Sequence, residues 1–202
     1  MSEISIVKAH PDSPAGSQLN RMALDSMAYT LAGSRDEKII QSTLEKLWKN
    51  SYNRFSHQYA YEAKVEGKTL GIVTCYPIGL LQQLAWPTAK KLWALRNLEL
   101  IKYSLLHPGA FFSMLTLKEG YEGEYHIGTL ATLPESRGLG IGTQLLHFAE
   151  QQAQLQGYSR SSLTVRQDNP RAAMLYERVG YVVSGKMNRP GFSLFRMVKE
   201  LV

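Results

Sequence analysis

The chain has 202 residues, 44% of them hydrophobic and 20% charged, a composition that suits one globular domain spanning residues 1–202 and argues against a wholly disordered chain. Lys and Arg outnumber Asp and Glu by 23 to 17, for a net charge of +6, yet the positive charge is not gathered into the run of about five or six that marks a nucleic-acid-binding tail. No apolar run reaches the roughly 18 residues of a membrane span, Met1-Ser2-Glu3-Ile4 does not open a secretory signal, and the single cysteine, Cys75, excludes an internal disulfide and a cysteine-rich zinc site, so the expectation is a cytoplasmic protein with no membrane partner and no metal.

Ile4-Ser5-Ile6-Val7 reads as a short first strand. Leu19, Met22, Ala23 and Met27 recur at helical spacing and predict a helix from Gln18 to Ala28. Ser34-Arg35-Asp36-Glu37 has the form of a capping box, with Ser34 as N-cap, ahead of a helix bearing Ile40, Leu44, Leu47 and Trp48 on one face. Tyr59, Tyr61, Ala63 and Val65 alternate as a strand, Glu66-Gly67-Lys68 supplies a turn, and Thr69 to Tyr76 returns as the second arm of a hairpin.

Residues 78–122 are less regular and rich in Trp, Tyr and Phe. Pro87 and Pro108 read as breaks, and Leu98, Ile101 and Leu105 predict a helix between them. Strand character resumes from Tyr125 to Thr132, and a glycine-punctuated turn then leads into a helix carrying Leu145, Leu146, Ala149 and Ala153 that ends at Gly157. A strand from Ser161 to Arg166 precedes Asn169-Pro170, an N-cap with proline in the first helical position. The helix it opens stops at Gly180, and two strands, Tyr181 to Lys186 and Phe192 to Lys199, close the chain. Helices and strands in this order predict one α/β domain around a mixed sheet.

A glycine-rich turn between a strand and a helix is a general anion site. Its N–H groups have no partners, the helix dipole favours negative charge, and glycine lets the backbone approach closely. Two familiar phosphate loops do not fit. No lysine follows Gly142, so a P-loop is excluded; Gly142 also falls one position too early for a dinucleotide fingerprint, and Tyr158 to Ser162 holds no acid.

Arg137-Gly138-Leu139-Gly140-Ile141-Gly142 instead resembles the Arg/Gln-x-x-Gly-x-Gly/Ala pyrophosphate loop of the GNAT superfamily of acyl-CoA-dependent N-acetyltransferases. The chain is similar to that family over nearly its full length. Leu130 to Arg137 resembles its fourth strand and exit, and Val165 to Asn169 its fifth strand. Ala173-Met174-Leu175-Tyr176-Glu177-Arg178-Val179-Gly180-Tyr181 resembles its last helix, and Arg196 to Leu201 its closing strand. The resemblance implies a mixed, mostly antiparallel central sheet flanked by helices, with a helical insertion at about 78–122 between the third and fourth strands and near the acceptor cleft.

It also implies site residues. Acetyl-CoA would place its pyrophosphate on Arg137, Gly138, Leu139, Gly140, Ile141, Gly142 and Thr143, and pair its pantetheine with the backbone of Leu130, Ala131 and Thr132, where the fourth strand splays from the fifth. Asn169 matches the asparagine that bonds the pantetheine arm, and equally serves as a helix cap. Tyr176 matches the tyrosine that protonates the departing thiolate; its phenol, with an ordinary pKa of about 10, holds its proton at neutral pH. The strand glutamate of the histone-acetylating branch is replaced here by His126, and that of the branch acetylating N-termini of ribosomal proteins by Thr164. His126, Glu124 acting through water, and a water chain with no dedicated base are the candidate proton acceptors.

The implied partners are acetyl-CoA and an amine acceptor, in a monomer or homodimer, with nucleic acid ranked last. From Trp86 to Lys102 the insertion carries Lys90, Lys91, Arg96 and Lys102 against Glu99, a balance that disfavours polycations and favours a small amine or amino acid. Acetylation of peptides or proteins, and a non-catalytic acyl-CoA-binding module, are the alternatives. The insertion itself reads as a roof over the acceptor, an extra core helix or a dimer contact.

Overall fold

The computed structural model describes residues 3–201. Its elements run β1 (Ile4–Lys8), α1 (Pro14–Leu24), α2 (Met27–Ala32), α3 (Glu37–Lys49), β2 (Ala60–Val65), β3 (Lys68–Pro77), α4 (Ile78–Leu106), α5 (Pro108–Leu115), β4 (Tyr125–Thr132), α6 (Ile141–Leu155), β5 (Arg160–Arg166), α7 (Pro170–Arg178), β6 (Val182–Arg189) and β7 (Phe192–Glu200). Among the described residues the strands form one sheet in the order β1-β2-β3-β4-β5-β7-β6. Every neighbouring pair is antiparallel except β4–β5. This is the mixed sheet that the element order predicts and, in being mostly antiparallel, the one that the resemblance implies.

Local chemistry moves several boundaries. The helix expected over Gln18 to Ala28 is two helices, because Asp25 adopts φ 46, which a helix interior does not allow. α3 begins two residues later than its capping box implies. Asp36 is the N-cap, accepting from the N–H of Lys38 at 2.8 Å and of Ile39 at 3.4 Å, while Ser34 accepts from the Asp36 N–H at 3.0 Å. A carboxylate at that position also opposes the helix dipole, which a serine hydroxyl does not. Between β2 and β3, Glu66 and Gly67 take φ values of 50 and 80, the two successive positive angles of a tight hairpin turn.

The break expected at Pro87 is absent, and α4 runs through it. Proline leaves the carbonyl four residues earlier without its helical donor, and here that residue is Gln83, which is exposed rather than buried in the core. The helical path is interrupted at Asn97 instead, at φ 46. Beside this break the Arg96 Nε donates to the Ala32 carbonyl at 2.6 Å. Leu100 meanwhile closes on Gly33, whose added Cβ would stand 3.0 Å from the Leu100 Cα. The long helix is thereby seated on the end of α2.

Two apolar clusters hold these layers together. Leu19, Trp48, Ile72, Leu145, Leu146, Leu163 and Met197 fill the space about the sheet; Ala28, Ile40, Leu44, Leu47 and Leu92 join α2, α3 and α4. All are buried, each contributing on the order of 1.5–3 kcal/mol for a large side chain.

One irregularity in the sheet positions everything that follows. Between β3 and β4, Thr74 faces Thr129 but Cys75 faces Ile127, so Gly128 is an extra residue in β4, a bulge. At the same point β4 leaves β5, whose pairing with it covers only Tyr125–Ile127 against Ser161–Leu163. Gly128 lies against the Tyr76 hydroxyl, and an added Cβ would overlap it. Gly128→Ala is therefore expected to lower stability by about 1–3 kcal/mol in urea denaturation. Gly79→Ala, in an open position at the start of α4, should instead raise it by up to about 1 kcal/mol.

Candidate active site

Where β4 and β5 diverge, a cleft of about 440 Å³ opens between them. Its walls include Ile127 to Thr132 of β4, Leu163 to Arg166 of β5, Asn169 and Tyr176 about α7, and the link between α1 and α2. Beyond Ile127 the edge of β4 that faces β5 has no strand partner, so its backbone groups are available to an extended ligand carrying amides.

Leu130, Ala131 and Thr132 line this cleft together with Asn169 and Tyr176. Tyr176 is 7% exposed and packs edge-on against Tyr181, with ring centroids 6.2 Å apart. Burial pushes the Tyr176 phenol up to about 12, so it carries its proton throughout the neutral range. Asn169 caps α7, its Oδ1 accepting from the Ala172 N–H at 3.2 Å, and keeps its amide N–H₂ for another acceptor.

The glycine loop lies outside this lining, at the exit of β4. A 3₁₀ turn over Pro134–Ser136 delivers Arg137 to the surface; Gly138 and Gly140 follow at φ 81 and 74, with open space where side chains would stand. The first bond of α6 runs from the Gln144 N–H to the Gly140 carbonyl. The N–H groups of Ile141, Gly142 and Thr143 accordingly have no carbonyl partner. Gly142 is needed for a different reason, since its Cβ would approach Leu175 of α7 to 3.1 Å. The open backbone, the exposed arginine and the unpaired edge of β4 fit the phosphates and amide arm of coenzyme A.

His126 and Glu124 do not line the cleft. His126 is 0% exposed, and its Nδ1 meets the Ser162 Oγ at 3.1 Å. Glu124 is buried in an ion pair with Arg196 and accepts from the Tyr121 N–H at 3.0 Å. Burial raises the Glu124 carboxyl, but Arg196 and the Tyr121 N–H outweigh it and hold the group ionised. Burial also drives the His126 imidazole down to about 4, leaving it neutral.

Three acids reach the cleft: Asp25 and Asp168, both held by Arg166, and Glu119, from the segment before β4, paired with Arg54 at 2.8 Å beside Tyr76 and Ile127. Burial raises the Glu119 carboxyl, but the Arg54 guanidinium and His126 bring it below its ordinary 4.5. Its Oε1 lies 3.9 Å from the His126 Nε2, which is buried without a hydrogen-bond partner. Tyr76 stacks on His126 with ring centroids 6.4 Å apart and lines the same end. Neither Arg54 nor Glu119 stands in a motif, and 65 residues separate them. No local signal in the sequence joins them.

Arg166 closes the other side. It holds Asp168 through two bonds of 2.8 and 2.6 Å, reaches the Ser26 Oγ at 2.7 Å, and lies 3.4 Å from Asp25. The link between α1 and α2 is thereby pinned to the end of β5.

A protein-family model described as the Acetyltransferase (GNAT) family matches residues 27–181. No curated protein matches the chain. Among solved structures, an N-acetyltransferase from Staphylococcus aureus Mu50 superposes with a TM-score of 0.75 at 24% identity, covering 96% of this chain and 99% of that one. The ribosomal-protein-S18-alanine N-acetyltransferase from Escherichia coli does so with a TM-score of 0.55 at 14% identity, over 98% and 94%. A NatC complex bound to Gag peptide and CoA gives 0.54 at 15%, over 99% of each chain. At these identities the likeness is one of fold.

The buried imidazole makes stability depend on pH. Its folded pKa lies below its unfolded value of 6.5, so the unfolded chain binds the extra proton, and stability falls as pH drops from 6.5 towards 4. Denaturation midpoints measured across that window should show this fall, at no more than about 1.4 kcal/mol per pH unit from His126. His126→Gln should flatten it. The loss due to Glu119, whose carboxyl is depressed, comes below 4.5 in both proteins.

Proposed function

The chain belongs to the GNAT acetyltransferase family, and we propose that it transfers the acetyl group of acetyl-CoA to the primary amine of a small acceptor, by direct attack within a ternary complex. The observation that carries this reading is the cleft itself. It places the free edge of β4, the Tyr176 hydroxyl and the Glu119 carboxylate on one cavity, just inside a loop suited to phosphates.

Bound there, acetyl-CoA supplies an acetyl thioester. The acceptor nitrogen, as the neutral amine, forms a bond to the carbonyl carbon, the C–S bond breaks, and one proton passes in net from nitrogen to sulfur. Glu119, ionised at rest, accepts a hydrogen bond from the amine and holds the nitrogen against the thioester; as the C–N bond forms it takes the proton that the nitrogen sheds and releases it to solvent. Arg54 keeps that carboxylate in place, and the neutral His126 behind it adds no competing charge. Tyr176 gives its proton to the sulfur, sparing the formation of a bare thiolate, and recovers one from solvent. The backbone of Leu130, Ala131 and Thr132 orients the pantetheine arm, an N–H at Thr132 polarises the carbonyl, and Asn169 bonds the arm from α7. Residues 137–143 hold the phosphates through backbone N–H groups, so most of the +6 charge is ordinary surface.

Free-thiol release with a panel of amines, amino acids and peptides tests the activity. Tyr176→Phe should lower kcat about 10²-fold with acetyl-CoA affinity by calorimetry unchanged. Glu119→Gln should lower kcat/KM for the amine by a similar factor while sparing acetyl-CoA. Gly140→Asp with Gly142→Asp should abolish acetyl-CoA binding; undiminished binding would refute the loop assignment.

A further inference from the structure

A second cavity, of about 460 Å³, lies next to the cleft. Met27 borders both. So does one face of β7, on which Leu194 belongs to the cleft and Phe192, two residues before it, to the second cavity. The pinning of Ser26 by Arg166 fixes Met27 between them.

The walls of the second cavity come largely from the insertion. Tyr103 and His107, at the end of α4, stack with ring centroids 4.2 Å apart. Ala110 and Met114 of α5 face them across the cavity's border with Phe192 and Tyr29. The lining is aromatic and aliphatic, with Arg35 its only side chain of fixed charge. α5 also sits directly on the turn between β6 and β7. An added Cβ on Gly109 would stand 3.0 Å from Pro190, and one on Gly191 would stand 3.3 Å from Ala110. The groove between the α1–α2 link and this hairpin is therefore walled by a helix on its outer side.

We infer that this cavity seats the body of the acceptor, and that the acceptor is a small primary amine bearing a compact aromatic or apolar group. The inference rests on the acetyl-transfer reading and adds the substrate class to it. The volume lies within the roughly 300–1,000 Å³ of small-molecule sites. The stacked rings of Tyr103 and His107 offer a surface that an aromatic ring packs against well, and Arg35 opposes a second positive charge. The insertion thus sets specificity by closing a groove rather than by contributing to the chemistry.

The test uses 2-phenylethylamine as the probe. Calorimetry on the full chain saturated with coenzyme A should show saturable binding. Ala110→Phe, which fills the cavity, should weaken it at least tenfold, and His107→Ala, which removes one wall without adding bulk, severalfold. Both should keep acetyl-CoA affinity within twofold; if Ala110→Phe loses it, His107→Ala decides. In free-thiol release, kcat/KM for 2-phenylethylamine should exceed that for spermidine or a ten-residue peptide at least tenfold. No saturable binding, unchanged affinity in the variants, or a preference for the peptide would overturn the assignment. Failure of the unaltered protein to bind acetyl-CoA would instead strike the acetyl-transfer reading beneath it.

Discussion

The extra residue in β4 is the constraint on which the rest of the molecule depends. A regular β4 would continue its parallel pairing with β5 past Ile127 and leave no opening in the sheet. With Gly128 inserted over the Tyr76 ring, the strand turns away. Its free edge becomes one wall of a cleft, and its exit delivers the glycine loop to the start of α6. A position so close to a buried ring admits only a residue without a side chain. The cleft and the sheet geometry are therefore set by the same glycine.

Around that opening the sheet interior is unusually polar. The part-buried pair Arg54–Glu119 and the buried pair Arg196–Glu124 lie on either side of His126, which burial keeps neutral. Such pairs stabilise little over an apolar replacement, but removing one partner leaves an uncompensated charge, at a cost of about 3–5 kcal/mol. They hold two carboxylates ionised in a dry setting without leaving both free. Glu124 is committed to Arg196 beneath β4, whereas Glu119 borders the cleft. A choice between acids two positions and seven positions before His126 is thus made by which one has a cavity in front of it.

Much of the architecture was legible in the residues. The hairpin about Glu66-Gly67, the strand from Tyr125 to Thr132, and the Asn169-Pro170 helix start each depend on neighbours within a few positions, and each forms as expected. The departures share a cause, a local signal answered by a partner distant in sequence or by solvent. Pro87 does not end its helix, and the residue whose carbonyl it orphans, Gln83, is on the exposed side; Asn97 interrupts it where Arg96 and Leu100 seat on α2. The predicted helix from Gln18 to Ala28 divides at Asp25, where the link that follows is tied to Arg166 of β5, 140 residues from Ser26.

The sequence by itself determined the loop, its strand and helix, the cap at Asn169, and the resemblance that gathers them into one family. These are backbone devices, written in glycine, proline and asparagine at short spacing, and they read the same wherever the chain goes afterwards. Only the tertiary structure decided which glutamate before β4 faces the cleft, that His126 is sealed away and neutral, and that α5 closes the groove beside Met27. Burial and long-range pairing set those outcomes, because the charge a side chain carries and the space before it depend on elements that meet only when the sheet is assembled.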